Sequence, residues 1–307
     1  PKLVFEKFKF IDVEDFEGFT MFHRAVQEGT KETVQFLLES KHKLGFNIEH
    51  IVDVDDDGST ILHSACLNTD VEVVDLVCRA LEEINSHINL QTQDSSEVIP
   101  FHRACEEKGS DVAISLLKRY PNWINVRDES GTHALHIAVA ELELLEYIFG
   151  NSNFDIDFNV VDNSGYTPLH YACMQGEVEV VKLFLENSVE KNIDSNIGDA
   201  HGQTPLHTAC IDGQVEVVKL FLENSDEKDI DLNIGNTGGN TPLHQACIIG
   251  QVEVVKVLLE NSDDIFLNIC NTGGNTPLNQ ACWNGQVEIV KLFLENSDEK
   301  DINLNIG

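Results

Sequence analysis

The chain is short of positive charge, of aromatic side chains and of methionine, and each shortage narrows what it can do. Lys and Arg number 20 against 53 Asp and Glu in 307 residues, a formal net charge of −33. A field of that sign repels a phosphate backbone and an anionic membrane surface, which argues against nucleic acid as a partner. Aromatics make up 7% of the residues, with 2 Trp and 2 Met, yet apolar residues reach 42%. The core is therefore expected to be mostly aliphatic. No stretch approaches the roughly 20 apolar residues that span a bilayer, so no membrane insertion is expected. Pro1-Lys2-Leu3-Val4-Phe5-Glu6-Lys7 mixes charge into its apolar residues and does not read as a signal peptide. No Asn-x-Ser/Thr sequon occurs. The missing initiator Met suggests a trimmed chain.

What is present is repetition. Length alone suggests about two compact domains, but internal repeats take precedence over that prior. Thr167-Pro168-Leu169-His170-Tyr171-Ala172-Cys173 recurs from Thr204, Thr241 and Thr276 with small changes. Weaker copies begin at Thr20, Thr60, Ile99 and His133, so successive motifs lie 40, 39, 34, 34, 37, 37 and 35 residues apart. Val215–Gly235 matches Val287–Gly307 at 19 of 21 positions.

Each copy has a physical reading. Thr204 is a good N-cap, and Pro205 at the first helical position loses no needed N–H. A short helix runs through the small residues Ala209 and Cys210, and Gly213 ends it, as Gly176, Gly250 and Gly285 do elsewhere. Val215–Leu222 follows with apolar residues at three- and four-residue spacing, the pattern of a second helix. Neither helix can bury its apolar face alone, so neighbouring copies must stack.

These motifs resemble the ankyrin repeat, whose signature is Thr-Pro-Leu-His-x-Ala at a period near 33 residues. The resemblance covers about residues 15–307. It implies an all-α repeat solenoid of stacked helix-turn-helix units with β-turn or hairpin tips. After a lead-in at 1–14, the repeats fall at about 15–54, 55–93, 94–127, 128–161, 162–198, 199–235, 236–270 and 271–307. Most spacings exceed the family period, so longer loops are expected, as at Ser225–Asp231. The fourth repeat has no Gly between its helices and is expected to have a shortened inner turn at Ala138–Leu142. The chain stops at Asn305-Ile306-Gly307 without a polar capping repeat, which suggests truncation from a longer array.

Several constellations look like chemistry. Seven histidines (His23, His63, His102, His136, His170, His207 and His244) share one repeat position. Stacked helices lie about 8–10 Å apart, too far for a shared metal that needs bonds near 2 Å. The resemblance assigns them a structural hydrogen bond beside the turn. Cys66, Cys105, Cys173, Cys210, Cys247 and Cys282 also share a position, and the same spacing forbids a disulfide ladder. They read as small buried hydrophobes of a reduced, cytosolic or nuclear protein. Asp53-Val54-Asp55-Asp56-Asp57-Gly58 begins like a calcium loop, but its twelfth position is Ser64 rather than a bidentate Glu. The alternative is the turn before Thr60. No phosphate loop, Gly-x-Ser-x-Gly or His-Glu-x-x-His occurs, so neither catalysis nor a cofactor is expected.

The resemblance places a partner on the turn tips and on the exposed side of the first helix, the concave face. Carried over by position, the tip residues are Tyr166, Gln203, Asn240 and Asn275. The first helices add Met174, Ile211, Ile248, Ile249 and Trp283. Met174, Ile211, Ile248 and Trp283 are all large and apolar where the family usually faces solvent. Together they form an expected stripe roughly 25–30 Å long. From residue 201 onward, only Asp212 of 16 acidic residues falls on that surface. Asn159, Asn196, Asn233 and Asn268 occupy the position that resembles the target of asparaginyl hydroxylases, the plainer alternative being a turn-stabilising role. The expected function is a protein-interaction scaffold that binds a protein or peptide. The alternative is the regulatory or substrate-recognition arm of a larger enzyme or channel.

Overall fold

The computed structural model describes residues 20–40, 54–68, 70–84, 92–106, 110–225, 229–261, 264–297 and 302–303. The chain divides into two compact units, Pro1–Asp155 and Ile156–Gly307, each carrying four of the eight motifs. Among the described residues both units are helical, and their only ladder contacts are the isolated antiparallel bridges Val54–Thr60 and Arg127–His133.

In the first unit the helix pairs are α1 Met21–Glu28 with α2 Lys31–Glu39, and α3 Ile61–Cys66 with α4 Val71–Ile84. α5 Pro100–Glu106 with α6 Asp111–Arg119, and α7 Ala134–Ala138 with α8 Leu142–Gly150, complete it, and a 3-10 turn occupies Pro121–Asn125. The second unit pairs α9 Pro168–Gln175 with α10 Val178–Glu186 and adds a short α11 at Ser188–Lys191. It continues with α12 Pro205–Ile211 and α13 Val215–Asn224, α14 Pro242–Ile249 and α15 Val252–Glu260, then α16 Pro277–Trp283 and α17 Val287–Glu295. In each unit first helices pack on first helices and second on second.

The cap chemistry explains why each first helix starts where it does. Thr241 is extended at φ −75°, ψ 169°, and its side chain accepts from the His244 backbone while the His244 ring accepts from the Thr241 N–H. That is a capping box with His in the place usually held by Glu or Gln. Asn279 does the same for Thr276. The Ala-Cys pairs are buried from Ala65–Cys66 through Ala246–Cys247, so backbones can approach closely. Phe184, Phe221 and Phe293 sit fully buried at one position of the second helix, each contributing about 2–3 kcal/mol through burial.

Cys282 departs from the expected pattern, because it is exposed. The face of α16 that corresponds to the packed face of α14 meets no further first helix among the described residues. The fourth repeat is shortened as its sequence implies. Its second helix starts nine residues after the cap position His133, against eleven from Thr204 to Val215. Val139, Ala140 and Glu141 make the turn alone, with the Glu141 N–H donating to the Ala138 carbonyl. Gly213 shows why repeats 5–8 keep glycine there: φ is +72°, and a Cβ would lie 2.6 Å from Gln251 Oε1. That amide cannot retreat freely, because its Nε2 donates to the Ile211 carbonyl at 2.7 Å. Gln214 and Gln286 cap Met174 and Ile248 in the same way.

Candidate protein-interaction face

The tips come first in the chain. Asp162, Asp199, Asn236 and Asn271 each open a tip whose side-chain Oδ1 accepts from the backbone N–H groups two and four residues on, at 2.8–3.0 Å. Adjacent tips are stitched by Ala200 N–H to Ser164 O, Thr237 N–H to His201 O and Thr272 N–H to Gly238 O. The tip row of the second unit is therefore braced within each turn and between turns. Asp55 is the same device in the first unit, with Oδ1 accepting from Asp57 and Ser59. That occupation favours the turn over the calcium loop; Asp53 lies outside the described residues.

The recurring histidines hold the tips to the helices. His207 Nδ1 accepts from the Thr204 N–H at 3.0 Å, which leaves Nε2–H to donate to the Asn240 carbonyl of the next repeat at 2.8 Å. His63, His170 and His244 repeat this with the Val98, Gln203 and Asn275 carbonyls. Burial pushes His207 down to about 4, against the partial support of the Asn240 carbonyl. A ring held neutral between two fixed partners is a structural strut. The buried thiols are pushed up by desolvation, Cys78 to about 11, so they are poor nucleophiles.

The four asparagines also work between repeats. Asn196 Nδ2 donates to the Asp229 carbonyl at 2.7 Å, while its Oδ1 accepts from the Asp231 N–H at 2.9 Å. Asn159 and Asn233 make the equivalent pairs, with Asn192 and Asp194 and with Asp264 and Phe266. Asn268 accepts from the Asn303 N–H. Asn159, Asn196 and Asn233 are thus two-point clips on the neighbouring loop, a wider role than bracing their own turns.

The apolar residues expected to face solvent differ in exposure. Trp283 is 79% exposed, Ile249 50% and Met174 38%, while Ile211 and Ile248 are half-buried. Tyr166 is half-buried, its ring edge-to-face with His170 and Tyr171, and burial beside Asp199 raises its hydroxyl. Gln203 accepts from Gln245 Nε2 at 3.4 Å. Asn240 Oδ1 accepts from Asn271 Nδ2 at 2.7 Å.

Four of the nine expected residues, Asn240, Ile248, Asn275 and Trp283, line one concavity of about 440 Å³ on repeats 7 and 8. Tyr166, Met174, Gln203, Ile211 and Ile249 lie outside it. Gln280 and Asn271 also line it, and neither was among the expected contact residues. Gln245 and Gln280 sit three residues before Ile248 and Trp283, one helical turn along the same face. That spacing was the signal available in the sequence. Described acidic residues past 201 other than Asp212, such as Glu216, Glu223, Glu253 and Glu288, stand on second helices or the loops after them.

A family profile described as ankyrin repeats (3 copies) matches residues 2–88, 141–236 and 227–306. The chain belongs to the ankyrin-repeat family, whose repeats generally mediate protein–protein interaction. It is similar to mouse Rabankyrin-5, with 30% identity over 170 residues, 55% of this chain and 14% of that protein. It is also similar to the probable 26S proteasome regulatory subunit p28 of Saccharomyces cerevisiae, with 34% identity over 86 residues, 27% of this chain and 37% of that one. The nuclear factor NF-kappa-B p105 subunit of Gallus gallus aligns at 25% over 140 residues, 45% of this chain and 14% of its own length. The chain thus spans about one-seventh of the Rabankyrin-5 length. No described helix is long and apolar enough to cross a membrane.

Proposed function

We propose that the tips and first helices of repeats 5–8 form the concave surface on which this chain binds a protein or peptide. One observation carries the reading. A row of large apolar side chains stands at the same helical position in four successive repeats, just after the Ala-Cys pair, with Met174 and Trp283 exposed and Ile211 and Ile248 half-buried. Apolar surface of that continuity is unfavourable in water and marks interaction sites. The same face would serve a scaffold and equally the regulatory or substrate-recognition arm of a larger enzyme or channel. Eight free cysteines suit a cytosolic or nuclear setting.

The test is a pull-down with the wild type and the double variant Ile248→Asn/Trp283→Ser. The expected result is loss of the recovered partners with a thermal midpoint lowered by only a few degrees, since exposed positions typically cost within about 0.5 kcal/mol and half-buried ones somewhat more. A Glu223→Lys control on the back should keep the partners. A double variant that melts far earlier makes these side chains core, and a stable one that keeps every partner removes the site.

A further inference from the structure

Charge is distributed in a way that folding does not demand. One residue in four of this chain is charged (24%), yet no Asp, Glu, Lys or Arg occurs from Leu232 to Val252 or from Ile265 to Val287. Those two runs hold the tips and first helices of repeats 7 and 8. The charges of these repeats sit on α15, on α17 and in the loops after them. The tip-bracing position shows that neutrality is separable from the fold. Asp162 and Asp199 fill it in repeats 5 and 6, Asn236 and Asn271 in repeats 7 and 8, with the same pair of backbone hydrogen bonds. A carboxylate would brace the turn as well as a carboxamide does. The carboxamide removes charge from the surface beside the concavity.

The concavity itself combines an exposed indole and Ile248 with the carboxamides of Asn240, Asn271, Asn275 and Gln280. A carboxamide donates and accepts as a peptide group does. It offers no counter-ion to an ammonium, a guanidinium or a phosphate, and burying an unpaired charge is costly. The Asn271-to-Asn240 hydrogen bond holds two of these groups in a fixed row, which lowers the ordering cost of binding.

We propose that repeats 7 and 8 take an uncharged, extended polypeptide segment. Its main-chain amides lie on the carboxamide row, and one large apolar side chain sits between Ile248 and Trp283. The proposal rests on the first-helix face of repeats 5–8 being the binding surface. It adds that the segment bound there is electroneutral, although the protein around it is strongly acidic.

Selection of phage-displayed random dodecapeptides on the whole chain tests this, followed by affinity measurement of the enriched peptides. The expected peptides lack Lys, Arg, Asp and Glu over the bound stretch and carry an aromatic or large aliphatic residue. Their affinity should change less than about twofold between about 50 mM and about 500 mM salt, because no charge pair is screened. Ile248→Asn and Gln280→Glu should each weaken them by about tenfold or more, with thermal melting of Gln280→Glu close to wild type. Enrichment of Lys- or Arg-rich peptides that bind through Ile248 but lose about tenfold or more in affinity at high salt would overturn the electroneutral assignment and leave the binding face standing. No enrichment, or peptides indifferent to Met174, Ile211, Ile248 and Trp283 alike, would overturn both.

Discussion

Replacing His207 by Asn separates the two halves of the recurring histidine's work, and repeat 8 already shows the outcome. There Asn279 Oδ1 accepts from the Thr276 N–H at 3.0 Å, so the helix cap survives the change. What Asn cannot do is reach the carbonyl of the next repeat, which His207 holds at 2.8 Å. The loss is one largely buried hydrogen bond and part of a ring, about 1–3 kcal/mol near pH 7.5. The pH dependence is sharper. Burial lowers His207 from 6.5 to about 4. A depressed histidine contributes nothing to pH dependence while both states are neutral. Stability falls as pH drops below 6.5, because the unfolded chain takes a proton that the folded one refuses until about pH 4. Between about pH 7.5 and about pH 5.5, still above the pI of about 4.5, this one group costs the wild type roughly 1.3 kcal/mol. Other titrating groups are common to both proteins and cancel in the difference. Urea unfolding at the two pH values should therefore show the gap between wild type and His207→Asn narrowing by about that amount on acidification. A gap that stays constant would mean the ring is not held neutral, and the strut assignment would fail.

The remaining expectations concern the stack and the weak point in it. Asn196→Ala removes both hydrogen bonds of one clip, to Asp229 and Asp231. At an exposed site this should cost roughly 1–2 kcal/mol and lower the urea midpoint measurably; an unchanged midpoint would reduce the clip to decoration. Amide exchange should be faster at Ala138–Leu142, the shortened turn of the fourth repeat, than at Val215–Leu222, since stability in arrays sums local and neighbour terms. Equal protection would show that shortening the turn costs nothing.

The parts legible in the sequence were those set by short-range chemistry. Thr204, Pro205 and Gly213 act within one or two helical turns, so cap, first position and stop could be read directly, and the period fixed the number of repeats. The Ala-Cys pairs were legible because only small residues suit close backbone approach. The exposure of Met174 and Trp283 followed once the Ala-Cys position was known, but the half-burial of Ile211 and Ile248 between them did not. Contacts between repeats were harder to read. Asn196 looks like a turn residue until the loop about 33 residues on is laid beside it. Gln214, Gln251 and Gln286 recur visibly after Gly, yet their role is to cap the previous repeat's first helix, which only stacking reveals. Cys282 shares its neighbours' sequence position but not their burial, because burial depends on what packs next.

The central claim, that the first-helix face of the second unit is where a partner sits, is tested most directly by photo-cross-linking. A photoreactive phenylalanine analogue would replace Ile249, 50% exposed on α14, or Glu223 on the second helix α13. Irradiation in a native extract should attach partner polypeptide at Ile249 and not at Glu223, and the Ile249 adduct should vanish when Ile248→Asn is added. Adducts at Glu223 with none at Ile249, or Ile249 adducts indifferent to Ile248→Asn, would place the partner elsewhere and contradict the account.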